Sequence, residues 1–275
     1  GRNETLQYGE LAPFSTDECP NLPANFMPST YAAEALTLEH ASSPRYHDTY
    51  TYTQDDWRRY LYAYYRLVER VDREVGRIVG VLKARGLYDD SAIIFLSDHG
   101  DGVAAHGWNQ KWNLQEEVVN VPLIVKAPEG AGLRGVRNDE ALSNVGLDLY
   151  ATVCDYAGVA PDPGRYRGRS LRPVAEGRQT TLHDEVFVET LLPGPGMRGW
   201  CVVGPRYKYV LYQWGRNREA LYDLQDDPGE MVNLAVDRRY EAELNRLRRA
   251  MYDWGVRIGD PKLVRNLRPW AEPRN

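Results

Sequence analysis

Positive charge and long apolar runs are both in short supply in this sequence. Its 34 Lys and Arg are outnumbered by 39 Asp and Glu, which gives a net charge of -5. Nucleic-acid backbones are bound by concentrated Lys and Arg, so this balance argues against a nucleic-acid partner. No apolar run approaches the roughly 20 residues needed to span a bilayer, and none near Gly1 resembles a signal-peptide core. We therefore expect a soluble chain without a membrane partner, either cytoplasmic or periplasmic.

Cysteine and histidine are also scarce. Cys19, Cys154 and Cys201 lie far apart, which excludes a disulfide framework and a CxxC metal site, although one pair could form. Five histidines leave little material for a two-zinc phosphatase site. The chain opens Gly1-Arg2-Asn3 without a methionine, and we take it as a fragment.

Hydrophobic residues make up 43% of the 275 residues, enough for a sizeable core. The pattern predicts an α/β fold in three segments. Residues 1–53 are rich in turn-forming prolines and predict an irregular arm. Residues 54–175 carry the α/β part, and residues 176–275 a small antiparallel sheet with a terminal helix.

Local periodicity places the main elements. Apolar residues at spacings of three and four from Trp57 to Leu82 predict a long amphipathic helix, with Gly86 as its C-cap. The unbroken apolar run 92–96 predicts a central strand of a parallel sheet, and residues 121–125 a second buried strand. Further on, helical spacing recurs at 145–157 and 240–256, and strands are predicted at 185–189, 198–203, 207–212 and 220–224.

The loop after the first strand gathers the residues best suited to chemistry. Asp98 and His99 end the strand, and Asp101, His106 and Lys111 follow within thirteen residues. Carboxylate and imidazole groups can bind a divalent cation, and a lysine can contact a sulfate or phosphate oxygen. In α/β sheets, ligands bind where strands end, so this loop is a candidate site for ester hydrolysis.

A plainer interpretation competes with this one. Asp98 could cap an ordinary turn in which Gly100 takes a positive φ. His40, His47 and His183 are expected to be surface or hydrogen-bonded structural histidines, with a smaller chance that His40 or His47 contacts a substrate.

The order of several motifs resembles the sulfatase branch of the alkaline-phosphatase-like superfamily, in particular choline-sulfatase-like and arylsulfatase-like members. The motifs are Ser97-Asp98-His99-Gly100-Asp101, His106-Gly107, Lys111, Glu116-Glu117, Val121-Pro122-Leu123-Ile124, Gly168-Arg169-Ser170-Leu171, Tyr222-Asp223-Leu224, Asp227-Pro228-Gly229-Glu230 and Asn233-Leu234. The resemblance runs from about Gln54 to Trp254. It implies part of an alkaline-phosphatase-like sandwich domain followed by a C-terminal antiparallel sheet and helix.

The same resemblance implies roles for single residues. Asp98 and His99 would be metal ligands, with calcium the expected ion and magnesium the alternative. Lys111 would hold the sulfate group, and His106 would contact the substrate or act as leaving-group acid. The family's nucleophile is a formylglycine made from a Cys/Ser-x-Pro-x-Arg motif, which these 275 residues lack. We expect that motif in a missing N-terminal half.

The expected function is hydrolysis of a sulfate ester of a sugar or small molecule, with the chain inactive on its own. Two alternatives stay open: a phosphatase or phosphonate hydrolase of the same superfamily, and a non-catalytic binding subunit. A sheet without its first strands would expose apolar surface, which predicts a homo-oligomer or a companion N-terminal piece.

Overall fold

A computed structural model describes residues 15–42, 48–160, 162, 164 and 166–271. They divide into two compact units that are each discontinuous in sequence. The sheet unit takes in Gly1–Ala63, Gly100–Asn120 and Phe187–Asn275, and the hairpin unit takes in Tyr64–His99 and Val121–Val186. Neither unit coincides with one of the three predicted consecutive segments.

The arm contains more regular structure than its prolines suggested. Helix α1 spans Glu34–Ser42, and a single 3-10 turn spans Asp48–Thr51. Hydrogen bonds from Arg58 to the carbonyl oxygens of Pro20 and Cys19 fix the preceding stretch. The expectation of a wholly irregular arm was therefore wrong for the part around α1, where no proline interrupts the helix.

Helix α2, Gln54–Ala84, confirms the predicted amphipathic helix. Its start is closed by a capping box: Thr53 N–H donates to Asp56, and Asp56 N–H donates to the Thr53 hydroxyl. Its end is closed by Gly86, which has a φ of 67°. The first ten residues of α2 belong to the sheet unit, and the rest to the hairpin unit.

The hairpin unit is built on two short strands, β1 (Ile93–Leu96) and β2 (Leu123–Lys126). They pair antiparallel, with Ile93 opposite Lys126, so the expectation that β1 lies in a parallel sheet was wrong for this pair. No crossover helix connects the two strands, and the chain returns in the opposite direction. The side chains of β1 are only half-buried. Helices α4 (Val145–Tyr156) and α5 (Arg172–Ala175) complete the described part of the unit.

The sheet unit also contains the short helix α3 (Glu116–Val119), and its core is a four-stranded sheet of β3 to β6 in sequential order. The strands are Val186–Leu192, Met197–Val203, Tyr207–Tyr212 and Glu219–Asp223. Helices α6 (Glu241–Ile258) and α7 (Pro261–Ala271) follow, and their apolar faces pack on the sheet. The four predicted strands and the helix at 240–256 are confirmed, whereas α7 was not predicted.

Two sequence expectations are settled by the described residues. All three cysteines are buried and free, so no pair forms a disulfide. Among the described helices, none combines the length and the apolar character that a membrane crossing needs.

Candidate functional site

Asp98 and His99 lie at the end of β1, in the hairpin unit. The carboxylate of Asp98 approaches the imidazole of His99, with Oδ2 3.5 Å from Nε2. Both side chains are accessible, at 84% exposure for Asp98 and 40% for His99. The His99 carbonyl accepts a hydrogen bond from Ser97 Oγ at 2.7 Å, which fixes the backbone that presents the ring. A carboxylate oxygen and an imidazole nitrogen, both able to bind a metal ion, are thus adjacent and accessible to solvent.

The competing turn interpretation is half right. Asp98 does accept a hydrogen bond from the His99 N–H at 3.0 Å. Gly100, however, is absent from the residues with positive φ. Glycine is needed there because a Cβ would lie 1.9 Å from the Glu117 carbonyl oxygen, which leaves no room for any side chain.

The loop that follows, in the sheet unit, has an unusual backbone. Five non-glycine residues between 103 and 112 adopt left-handed φ values of 45° to 82°: Val103, Ala104, His106, Gln110 and Trp112. Such conformations cost on the order of 1–3 kcal/mol each and persist only where surrounding contacts enforce them. This concentration marks the loop as a candidate functional element.

Asp101 supplies many of those contacts. One carboxylate oxygen accepts hydrogen bonds from Tyr60 Oη at 2.6 Å and Val103 N–H at 2.9 Å, and the other accepts from Gln110 N–H at 3.1 Å. Asp101 therefore organises the loop rather than presenting a carboxylate to a ligand. Next to Gln110, the half-buried Lys111 places its ammonium 5.8 Å from the centre of the Trp112 ring.

His106, in the same loop, is buried, with 7% of its surface exposed. The backbone N–H of His106 donates to the Asn25 carbonyl at 2.6 Å. Potential ligand atoms of His106, Glu117 and Glu230 all lie within 4.8 Å of one another. Burial lowers the pKa of His106, and the nearby charge of Glu117 opposes that shift. The ring thus faces carboxylates rather than solvent.

A buried lysine balances part of this charge. Lys208 is fully buried on β5, and its Nζ lies 2.9 Å from both Glu116 Oε1 and Glu230 Oε1. Burial raises the pKa of Glu230, which Lys208 counteracts. These contacts tie α3 to the sheet and to the turn at residues 227–230.

The remaining predicted histidines have structural partners. His40 stacks on Trp108, with 4.3 Å between ring centres. His183 Nε2 lies 3.0 Å from both carboxylate oxygens of Asp148, as expected for a hydrogen-bonded structural histidine. His47 lies outside the described residues.

Sequence reasoning missed this second group of ionisable residues. Glu116, Glu117 and Glu230 belong to the motifs of the resemblance without an assigned role, and Lys208 belongs to none of those motifs. A signal was present, because Lys208 interrupts an otherwise apolar and aromatic strand. Charged side chains at such positions are almost never fully buried without an ionic partner.

Comparison with known families identifies the fold and its class. Residues 29–159 match the sulfatase family model, and residues 104–256 match the model of the C-terminal region of N-sulphoglucosamine sulphohydrolase. The chain belongs to the sulfatase family and has its alkaline-phosphatase-like fold, which confirms the resemblance inferred from the motifs.

Individual relatives agree with this assignment. A Delta 4,5-hexuronate-2-O-sulfatase of Bacteroides thetaiotaomicron is 32% identical over 97% of this chain and 56% of its own length. The structure of a 2-O glycosaminoglycan sulfatase superposes with a TM-score of 0.84 at 28% identity, covering 100% of this chain and 63% of that one. A phosphonate monoester hydrolase of Agrobacterium radiobacter gives 0.63 at 25% identity, covering 95% and 53%. The chain thus spans little more than half the length of these relatives.

Proposed function

We propose that this chain takes part in the hydrolysis of a sulfate ester by supplying two metal ligands and a lysine that binds the sulfate group. The observation that carries the proposal is the pair at the end of β1, where an exposed carboxylate and imidazole stand 3.5 Å apart in a sulfatase-family chain. Asp98 and His99 are the metal ligands in this scheme, and Lys111 contacts the sulfate.

The donor atoms at this pair suit a divalent cation. A carboxylate oxygen is the ligand that calcium and magnesium prefer, and an imidazole nitrogen can complete the shell. Calcium is the proposed ion and magnesium the alternative. Such a cation would polarise the ester and stabilise the negative charge that develops on it. Two side chains do not fill a coordination shell, so further ligands such as water or substrate oxygens would complete it.

Lys111 would act by charge. Its carbonyl accepts a hydrogen bond from Trp108 Nε1 at 3.2 Å, which holds the main chain of a residue whose side chain is half-buried. An ammonium group held this way can bind a sulfate oxygen and stabilise negative charge on it. The predicted substrate contact of His106 stays a prediction. The residue is only 7% exposed, so a substrate could reach little of its surface.

A sulfated sugar is the substrate class that we propose. The support is the similarity to a hexuronate 2-O-sulfatase along 97% of this chain. A formylglycine nucleophile would come from a Cys/Ser-x-Pro-x-Arg motif outside these 275 residues, which contain none. The isolated chain is therefore expected to bind a sulfated sugar without turning it over.

Calorimetric titration tests this scheme. The chain, with calcium present, is titrated with an unsaturated hexuronate disaccharide carrying a 2-O-sulfate and with its desulfated counterpart. We expect only the sulfated sugar to bind, and Lys111→Ala to weaken binding at least tenfold. The exposed Lys262 on α7 provides the matched control, Lys262→Ala, which should bind as the wild type does. Equal affinity for both sugars, or wild-type affinity in Lys111→Ala, would contradict the proposal.

Turnover assays separate the alternatives. The absence of the nucleophile motif favours a non-catalytic binding role for the isolated chain, and similarity to a phosphonate monoester hydrolase keeps phosphorus esters in consideration. Chromogenic aryl sulfate and aryl phosphate should both remain intact with calcium or magnesium present. Metal-dependent turnover of either that is lost in Asp98→Ala would mean that the chain catalyses by itself.

We also propose that the hairpin unit binds a second polypeptide, either another copy of the chain or a piece equivalent to the N-terminal half of its relatives. Apolar side chains of α2 are well exposed there: Val68, Val71, Ile78 and Val81 are 51% to 64% accessible. Light scattering after gel filtration measures the mass, and a dimer is the expected result for the chain alone. A strictly monomeric chain would leave the companion piece as the partner to add.

A further inference from the structure

The cluster around His106 contains a buried imidazole without hydrogen bonds. Neither ring nitrogen has a hydrogen-bond partner among the described residues, although the residue is only 7% exposed. The main chain of Gly229 lies near enough to the ring to raise the pKa of His106. Neither ring nitrogen, however, reaches the distance and angle of a hydrogen bond. A neutral imidazole carries one donor and one acceptor, so leaving both unsatisfied costs free energy.

The charges of the cluster are also unbalanced. Lys208 pairs with the carboxylates of Glu116 and Glu230, and a third carboxylate, that of Glu117, lies within 4.8 Å of ligand atoms of His106 and Glu230. With all groups ionised, three negative charges face one positive charge in a largely buried place. A divalent cation would neutralise this excess and give the imidazole nitrogen a partner at the same time.

The carboxylates are already oriented by neighbouring groups. Asn25 Nδ2 donates to Glu117 Oε1 at 2.7 Å, and Glu116 N–H donates to Glu230 Oε2 at 2.8 Å. Outer contacts of this kind hold ligand side chains in place in protein metal sites. The backbone is committed as well, because His106 and Glu230 both have left-handed φ values, 54° and 53°.

We propose that His106, Glu117 and Glu230 bind a divalent transition-metal ion, with zinc the best match for one imidazole and two carboxylates. Their ligand atoms lie within 4.8 Å of one another, and bonds of about 2.0–2.2 Å to zinc would draw them closer together. The ion would join the loop, α3 and the turn at 227–230. An imidazole that binds a metal is not available as a leaving-group acid, so this inference is an alternative to the sequence-based role of His106. It does not depend on sulfate-ester hydrolysis.

The test is a zinc titration of the full chain after removal of metals with a chelator. We expect one equivalent to bind, and Glu117→Gln to weaken binding at least tenfold. This variant keeps an oxygen acceptor for Asn25 and changes a half-buried side chain, so it should fold; far-UV circular dichroism checks that it does. His106→Gln is the second variant, with the same expected loss. The exposed Glu129 gives a matched control, Glu129→Gln, which should retain the equivalent.

A second control excludes the pair at the end of β1. The double variant Asp98→Asn with His99→Gln should still bind one equivalent of zinc. Cobalt then reports the ligands, and we expect visible bands without the charge-transfer absorption of a thiolate, because the three cysteines are not ligands. Failure of the wild-type chain to bind one equivalent overturns the proposal. Wild-type affinity in Glu117→Gln, loss in the double variant, or a thiolate band would also overturn it.

Discussion

Two histidines in this molecule lie beside carboxylates, and only one of them is hydrogen-bonded to its neighbour. In the hairpin unit, Asp148 is fully buried and accepts hydrogen bonds from Ser143 Oγ, the N–H groups of Asn144 and Arg169, and His183. In the sheet unit, His106 faces Glu117 and Glu230 with neither ring nitrogen bonded. A cluster whose polar groups are all hydrogen-bonded stabilises the fold. A cluster with unsatisfied polar groups either binds a ligand that satisfies them or lowers the stability of the fold.

The largest effect is expected when Asp148, the acceptor at the centre of the hydrogen-bonded cluster, is replaced. Asp148→Ala leaves four part-buried donors without their acceptor. At about 1 kcal/mol for each, we expect a loss of about 4 kcal/mol in the free energy of unfolding. Urea unfolding followed by near-UV circular dichroism measures it. A loss below about 1 kcal/mol would mean that water replaces the carboxylate and that the cluster is not structural.

An effect of similar size is expected when the buried cation of the other cluster is removed. Lys208→Met leaves Glu116 and Glu230 without their counter-ion, and breaking a buried pair in this way costs about 3–5 kcal/mol. The double variant with Glu230→Gln should recover part of that loss, because one uncompensated charge is removed as well. Urea unfolding of both variants checks the recovery, and equal stability would argue against charge as the cause.

A smaller loss is expected when the satisfied imidazole is removed. His183→Leu deprives Asp148 of one of its hydrogen-bond donors while three others remain. We expect about 1.5–3 kcal/mol, the contribution of one hydrogen bond to a charged group. The same urea experiment applies, and a loss as large as that of Asp148→Ala would place the weight of the cluster on His183 instead.

The smallest effect separates the two histidines most clearly. His106→Leu in the presence of a chelator removes a ring that makes no hydrogen bonds, and apolar replacement of unsatisfied polar groups can be almost neutral. We expect a change below about 1 kcal/mol in the free energy of unfolding. A loss matching that of His183→Leu would mean that the ring has partners in solution, and the contrast between the clusters would disappear.

Much of the fold follows from local pattern, but the clusters do not. Periodicity predicts α2 because Trp57 to Leu82 share one helical face, and the predicted strands of the sheet unit follow from apolar runs between turns. The antiparallel pairing of β1 and β2 was missed because an apolar run does not encode its partner's direction. Glu230 and Glu117 are 113 positions apart, so their meeting depends on tertiary packing. Asp98, His99 and Lys111 were found because they follow one strand closely, and their roles stay predictions.

The left-handed backbone of residues 103–112 limits how this loop can be reused in protein engineering. Transplanted to another scaffold, the segment would relax, because its shape depends on contacts outside itself. A graft would have to carry Asn25, whose carbonyl accepts a hydrogen bond from the His106 backbone N–H, and Tyr60, whose hydroxyl donates to Asp101. The portable unit is therefore a three-part assembly of arm, helix start and loop, and sequence libraries confined to the loop should yield few folded variants.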